Sequence, residues 1–358
     1  MESLSNLKKF YNNKKIFITG HTGFKGTWLS IILCHLNARI YGYSLAPEKN
    51  SLFKKSGIKN KLNSNSYADI RNIRDLKKKI SLSKPEIIFH LAAQPLVIDS
   101  YEKPIETFNT NILGTAHLLE CLKNIKSVKS VIIVTTDKVY KINKKNKTYK
   151  EVDQLGGIDP YSVSKVGAEM VTDCYIKSFF KNSNLRNKIS VVRAGNVIGG
   201  GDFSKNRLIP DIVRAINNKK KLKVRNPNHI RPWQHVLDPL VGYLILAKKQ
   251  CIKKVNNEFE YAWNFGPSKG NFKKVFEIVK EVQKLENFKC SFDKKKKFHE
   301  TAILKLESAK AKRKLNWSSK WKLSVALKKT IEWNRSIKKN ISVENKCVQQ
   351  FLTYINNK

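Results

Sequence analysis

Tyr161 and Lys165 stand four residues apart in Pro160-Tyr-Ser-Val-Ser-Lys165, and Thr136-Asp137-Lys138 follows the apolar run Val131-Ile-Ile-Val134. On a helix, a four-residue spacing puts the phenol and the ammonium on one face, where the positive charge can lower the phenol's pKa. A tyrosinate can take a proton from a sugar hydroxyl, which is redox chemistry with acid and base help. The triplet adds a hydroxyl, a carboxyl and an amine, more than alcohol oxidation requires. The surplus reads as equipment for eliminating water.

These groups need a cofactor and elements to hold them. Lys15-Ile-Phe-Ile-Thr19 reads as a strand, Gly20-His-Thr-Gly23-Phe24-Lys-Gly26 as a glycine turn, and Thr27 to Leu36 as a helix. That order lets a pyrophosphate approach the backbone and rest on the helix N-terminus. Further strands are expected near Arg39 to Tyr43, Ser66 to Asp69, Glu86 to His90, Ser130 to Thr135 and Ile189 to Arg193. Helices are expected at Asp75 to Leu82, Ile105 to Leu122 and Tyr161 to Phe180. This alternation predicts an α/β fold, a Rossmann-type doubly wound parallel sheet. Beyond Gly195 the pattern loosens into shorter elements. Residues 1–194 are therefore read as the dinucleotide-binding domain, and 195–358 mainly as a smaller substrate-binding lobe with some segments returning to the sheet. Leu323 to Ile337 and Val343 to Ile355 read as two polar helices.

Four blocks, Gly20 to Gly26, His90-Leu91-Ala92-Ala93-Gln94, Thr136-Asp137-Lys138-Val-Tyr140 and Tyr161-x-x-x-Lys165, together resemble the extended short-chain dehydrogenase/reductase superfamily. Gly20 to Trp28, Gly156 to Tyr161, Asn196 to Asp202 and Arg231 to Asp238 resemble the CDP-glucose 4,6-dehydratase family within it, over about residues 14 to 333. The resemblance implies a lyase acting on CDP-glucose with NAD: oxidation at carbon 4, loss of water across carbons 5 and 6, and hydride return to carbon 6. Tyr161 would take the 4-hydroxyl proton, Lys165 would keep the phenol acidic and hold the nicotinamide ribose, and Thr136 would hydrogen-bond the 4-oxygen. Asp137 would protonate the leaving 6-hydroxyl. Lys138 stands where the wider dehydratase pattern has glutamate, so the carbon 5 base would be a neutral amine, which burial among cations favours; the alternative is a solvent-facing lysine.

The cofactor contacts implied are Gly20, Gly23, Phe24, Gly26, Asp69, Ile70, Leu91, Ala92, Ala93 and Thr135, besides Tyr161 and Lys165. Asp69 could instead cap the next helix. Tyr41-Gly-Tyr43-Ser-Leu45, at the end of the second strand, has no acidic residue, so the residues leave NAD and NADP open while the resemblance favours NAD. Gln94 and Ser100 are expected to face the hexose, and Asn196, Arg207 and Arg231 the diphosphate, since a planar guanidinium engages two oxygens. Trp233 is either a contact or a core aromatic. His90 reads as a buried strand-end residue, and His21 and His235 stay open. Asn111 resembles a structural asparagine of the superfamily that bends or hydrates the helix behind Lys165. Leu113, Leu118, Leu119 and Leu122 look like that helix's core face, which in related enzymes also builds a dimer interface; a homodimer is expected.

Composition limits the rest. The chain has 358 residues, enough for a sizeable core, and its six cysteines show no paired spacing, so neither a metal site nor a disulfide framework is suggested. The seven histidines form no ligand pattern. No stretch is long and apolar enough for a membrane span, and a cytoplasmic enzyme is expected. A net charge of +42 raises polyanion binding, but the lysines are dispersed in short runs at 77–79, 219–221 and 294–297. No specific nucleic acid partner is expected. The other readings are another nucleotide-sugar dehydratase or a 4-epimerase, which would not need Asp137 and Lys138, and a non-catalytic polyanion-binding protein. The resemblance places the product in deoxysugar supply for a surface polysaccharide.

Overall fold

The computed structural model describes residues 2–142, 147–252, 261–293, 302–337 and 341–357; the basic run 294–297 lies outside them. Strands β1 (Lys15–Thr19), β2 (Arg39–Ser44), β3 (Ser64–Tyr67), β4 (Ile87–His90), β5 (Ser130–Val134) and β6 (Ile189–Ala194) fall in the first 194 residues. They are followed by β7 (Asn196–Ile198), β8 (Leu222–Arg225), β9 (Ile230–His235), β10 (Ala262–Phe265), β11 (Phe272–Lys274) and β12 (Cys290–Asp293). The main sheet runs in the order β10-β6-β5-β4-β1-β2-β3, all parallel. Apolar residues fill both faces of its central strands, as a sheet covered on both sides requires. The chain winds outward from β1 to β3 and then returns to β4 on β1's other side. The ends of β1 and β4, paired at Thr19 and His90, therefore border the switch point where ligands bind in such sheets.

Helices cover each face. Phe24–His35, Leu237–Ile252 and Val343–Asn356 enclose one core with Trp28, Ile32, Leu244, Trp263 and Phe351. Ile73–Ser83, Gly114–Leu122 and Pro160–Ser178 lie with the other, where Leu76, Ile80, Leu118, Leu119 and Ile133 are buried. Outside the main sheet, β11-β9-β7 and β12-β8 form two small sheets. With helices Leu208–Asn217, Val275–Gln283 and Leu323–Ile337 they bury Ile212, Trp233, Ile278 and Leu327 in a separate cluster.

Several expected elements differ. The third strand lies at Ser64–Tyr67, two residues before its expected place, because its mostly half-buried polar sequence carries no apolar signal. The expected helix Ile105 to Leu122 is three pieces, Pro104–Phe108, a π-helical turn Asn109–Leu113 and Gly114–Leu122. The two terminal helices are amphipathic rather than merely polar: Cys347, Phe351 and Tyr354 of the last one are fully buried.

Candidate active site

Gly20 leaves β1 with φ +75, where an L side chain is strained, and a Cβ there would come within 2.6 Å of the Ala92 nitrogen. At Gly26 a Cβ would lie 2.1 Å from the Gly20 carbonyl oxygen, so no side chain fits. Gly23 differs, since the nearest atom to its Cβ position is 3.4 Å away. It begins helix Phe24–His35 with no side chain capping the first turn, leaving amide donors facing the open side. The turn thus fits a pyrophosphate: two glycines close it and the third leaves room.

Leu91 and Ala92 continue from β4, their amides donating to the Thr19 carbonyl (3.0 Å) and hydroxyl (3.2 Å). With Ala93 they form a half-buried wall beside the turn. Phe24 packs toward the loop at Gly199. His21 is structural: its ring occupies the space where Gly42 lacks a side chain, and Nε2 lies 2.7 Å from Asn65 Oδ1. Asp69 pairs with Arg71 at 2.6 Å, which holds its carboxyl below the usual range. Asn72, not Asp69, caps the following helix through the Asp75 amide. Ile70 is buried over Gly114.

Thr135, Thr136, Asp137 and Lys138 follow β5. Thr135 donates to Glu169 Oε1 at 2.6 Å, and Thr136 to Asp137 Oδ1 at 3.1 Å. Asp137 is 2% exposed, and its Oδ2 has no hydrogen-bond partner. Burial raises its pKa, opposed by the charges of Lys138 and Arg231, the Thr136 hydrogen bond and Lys25. A buried acid with a vacant oxygen is suited to carry a proton to a ligand.

Helix Pro160–Ser178 starts at Asp159, which accepts the Ser162 amide, while the Tyr161 amide donates to Ser100 Oγ at 3.1 Å. Tyr161 and Lys165 share the buried face, as the spacing requires. The expected lowering of the phenol by the ammonium is not what the structure holds. Burial pushes Tyr161 up to about 12, and what lowers it are a hydrogen bond with Thr136 and the charge of Arg207. Lys165 turns its Nζ to the Val134 carbonyl at 3.2 Å, and burial with the neighbouring charge of Lys25 pushes it down to about 7.

Asn111 sits in the π-helical turn, accepts the Gln94 amide and donates to Ser164 Oγ. Behind it Thr115 donates to the Asn111 carbonyl, and so must accept from His90 Nε2 at 3.1 Å; His90 Nδ1 then accepts from Thr19. His90 is a neutral structural link, its pKa lowered by burial to about 3.

One cavity gathers Lys25, Thr135, Thr136, Asp137, Lys138, Tyr161, Asn196, Arg207 and Arg231. Arg207 lies 3.2 Å from Asp202, while Arg231 donates to the carbonyls of Ile230 and Ala302 and to His229 Nδ1. Trp233 is buried in the third cluster, as the core reading expects, and it also lines the cavity. Gln94 and Ser100 stand outside the lining. Gln94 turns back to Thr107, and Ser100 donates to the Val97 carbonyl while supporting Tyr161. His235 is buried against Trp321 and accepts the Leu237 amide.

Two features escaped the sequence reading. Glu169 binds Arg193 at 2.5 Å inside the protein, and Arg193 also reaches the Tyr140 hydroxyl, so this pair fixes the floor behind Thr135. Residues 161, 165 and 169 continue one four-residue register, which is the signal that could have found Glu169. Lys25, within the glycine turn, reaches the cavity as well.

A doubly wound sheet with a glycine turn at its switch point and a Tyr-x-x-x-Lys helix beside the cavity defines an extended short-chain dehydrogenase/reductase. Residues 17–330 match the sequence profile of the GDP-mannose 4,6 dehydratase family, and the chain belongs to it. It is 43% identical over 335 residues to a CDP-glucose 4,6-dehydratase of Salmonella typhimurium, covering 92% of each chain. It is 30% identical to a dTDP-D-glucose 4,6-dehydratase of Dictyostelium discoideum over 68% of this chain and 58% of that one. Among solved structures, a Bacillus anthracis dTDP-glucose 4,6-dehydratase in complex with NAD superposes with TM-score 0.76 at 22% identity, over 91% of this chain and 98% of the other. A Thermotoga maritima UDP-glucose 4-epimerase with UDP-glucose gives TM-score 0.75 at 23% identity, over 90% and 99%. The shared fold agrees with the expected one.

Proposed function

We propose that this enzyme converts CDP-glucose to CDP-4-keto-6-deoxyglucose, losing the 6-hydroxyl as water. The observation that carries the reaction is the joining of Tyr161 with Asp137 and Lys138 in one cavity, because a 4-epimerase has no work for the last two. The nucleotide rests on the 43% identity to the Salmonella enzyme.

The turn at Gly20, Gly23 and Gly26 would hold the pyrophosphate of NAD, with Leu91, Ala92 and Ala93 along its nicotinamide half and Asp69 and Ile70 toward the adenine. NAD held there would supply the hydride acceptor for carbon 4 and the hydride donor for carbon 6 within one turnover, so none would be consumed. Tyr161 would accept the 4-hydroxyl proton as phenolate, a form that burial opposes and that Thr136 and the charge of Arg207 favour, and the Thr136 hydroxyl would steady the 4-oxygen. Lys165, one helical turn behind, exchanges a proton readily near neutrality. Lys138 removes the proton from carbon 5, made acidic by the neighbouring ketone, and a proton returns to carbon 5 as the hydride reaches carbon 6. Asp137, which burial keeps protonated more readily than an exposed acid, donates to the departing 6-oxygen. Asn196, Arg207 and Arg231 hold the diphosphate.

In this reading residues 1–194 carry the dinucleotide and 195–358 mainly the nucleotide sugar. The enzyme works as a homodimer in the cytoplasm. Ile105, Leu113, Val163 and Met170, exposed on neighbouring helices, support the first statement, and free cysteines at all six positions suit the second.

The test is to incubate purified protein separately with CDP-, dTDP-, UDP- and GDP-hexoses. Formation of a 4-keto-6-deoxy product from CDP-glucose is expected. A product that keeps its 6-hydroxyl would establish an epimerase instead, and no turnover of any of them would refute the proposal.

A further inference from the structure

Glu169 and Arg193 grip the turn that carries Thr136, Asp137 and Lys138 at both of its ends. Thr135, the residue before the triplet, donates to Glu169 Oε1 at 2.6 Å. Tyr140, two residues past Lys138, has its hydroxyl 2.8 Å from Arg193 Nη1 and 2.7 Å from Asn264 Oδ1. A guanidinium only donates, so the phenol accepts from Arg193 and gives its own hydrogen to Asn264. The guanidinium also lies over the Tyr140 ring, 4.9 Å from its centroid. Within the pair, Arg193 Nε meets Glu169 Oε1 at 2.9 Å and Nη2 meets Oε2 at 2.5 Å. This two-pronged contact fixes both side chains in direction as well as distance, and both are buried.

The same pair belongs to the other half of the site. Glu169 stands on the helix Pro160–Ser178, one turn beyond Lys165 and two beyond Tyr161, and the Tyr261 hydroxyl donates to its main-chain carbonyl. Arg193 stands on β6, between β5 and β10, with Asn264 as its partner across the sheet. We propose that Glu169 and Arg193 are positioning residues that tie the turn 136–139 to the helix of Tyr161 and Lys165, setting the gap between the groups that oxidise carbon 4 and those that eliminate water. This deepens the reaction proposed above and rests on it for the roles of those groups. The sugar must keep carbon 4 at Tyr161 while carbons 5 and 6 meet Lys138 and Asp137, and a misplacement of about 1 Å can slow such a step about 100-fold. The Thr136 hydroxyl also meets the phenol, but on the cavity side, where the 4-oxygen would compete for it. The ion pair holds the two halves from behind.

Thr135→Val combined with Tyr140→Phe cuts both links to the turn and leaves the two charges paired. In the full-length double variant, amide hydrogen exchange should speed up about 10-fold or more over residues 136–140 and stay within about two-fold of wild type over 160–178. In single turnovers with CDP-glucose, loss of the 6-hydroxyl should slow about 10- to 100-fold while carbon 4 oxidation slows less, so that NADH absorbance builds up beyond its wild-type level. Tyr140→Phe alone, whose side chain is outside the cavity lining, should show both changes at smaller size. Exchange over 136–140 as slow as in wild type, or faster by the same factor in both segments, would overturn the inference, as would elimination at the wild-type rate. If the double variant does not fold, Tyr140→Phe carries the same expectation and the same refutation. Because exchange needs no turnover, a wild-type protein inactive on every hexose would count against the reaction and not against the tie between turn and helix.

Discussion

Asp137 and Lys165 are ionisable groups held without full compensation, which functional sites share with few other parts of a protein. Replacing Asp137 with Asn keeps the shape and removes the proposed proton donor. Carbon 4 oxidation should survive while loss of the 6-hydroxyl falls at least 100-fold, read by product analysis in single turnovers. Lys138→Ala should stop exchange of the carbon 5 hydrogen with solvent and leave dinucleotide binding intact; unchanged exchange would remove Lys138 from the mechanism. Lys165 also has a signature in stability. Its folded value, about 7, lies below the unfolded value of 10.5, so the unfolded chain binds the proton more tightly and folding is penalised while both forms are charged. The penalty is full below pH 7 and disappears as pH rises through about 10.5. Lys165→Met should therefore be more stable than wild type by about 2 kcal/mol at pH 6 to 7 after allowing for lost contacts, with the gap closing toward pH 10 in denaturant titrations. A gap that widens with pH would contradict the burial of this amine.

At the scale of elements, the glycine turn separates folding from binding. Gly26→Ala puts a methyl 2.1 Å from a backbone oxygen that cannot withdraw, so the variant should lose several kcal/mol or not fold. Gly23→Ala meets only ordinary contact, so its thermal stability should stay within about 0.5 kcal/mol of wild type while NAD affinity drops, checked by fluorescence titration. Equal losses in both variants would mean that Gly23 serves packing. This turn was legible in the sequence because strand, glycines and helix follow in a fixed order. The central strands were legible because burial on both faces leaves them uniformly apolar. The edge strand Ser64–Tyr67 was not, since a half-buried edge has no such pattern. Nor was the π-helical turn at Asn109–Leu113, which depends on Asn111 bonding Gln94 and Ser164 across the fold. The triplet and Tyr161 could be placed in one site because each follows or faces a strand end. The inward turn of Gln94 and the support that Ser100 gives Tyr161 are set by partners distant in sequence, beyond any local spacing.

At the scale of the whole molecule, two kinds of surface lie outside the cavity: a positive field spread over dispersed lysines, and an apolar patch. The field follows from a net charge of +42 and will draw polyanions weakly, in a way that salt abolishes. The patch is more specific. Leu113, read from sequence as part of a core face with Leu118, Leu119 and Leu122, is 48% exposed while the other three are buried. Ile105 is 69% exposed, and on the adjacent helix Met170 is 65% exposed, seven residues and two turns from the exposed Val163. Gly167, between those two, is packed so closely on Ile112 that a Cβ would come within 2.6 Å, which draws the helices together into one flat face. Apolar side chains exposed side by side on packed helices mark an interface. A second copy of this chain, meeting the patch about a two-fold axis, would bury it against itself. Sedimentation at micromolar concentration should give a dimer, and Leu113→Lys with Met170→Lys should give a folded monomer, because two buried like charges per protomer would face their symmetry mates. High salt should not dissociate the wild-type dimer, since apolar burial is insensitive to screening. A wild-type monomer at these concentrations, or a double variant that still dimerises, would remove this face as the contact between copies.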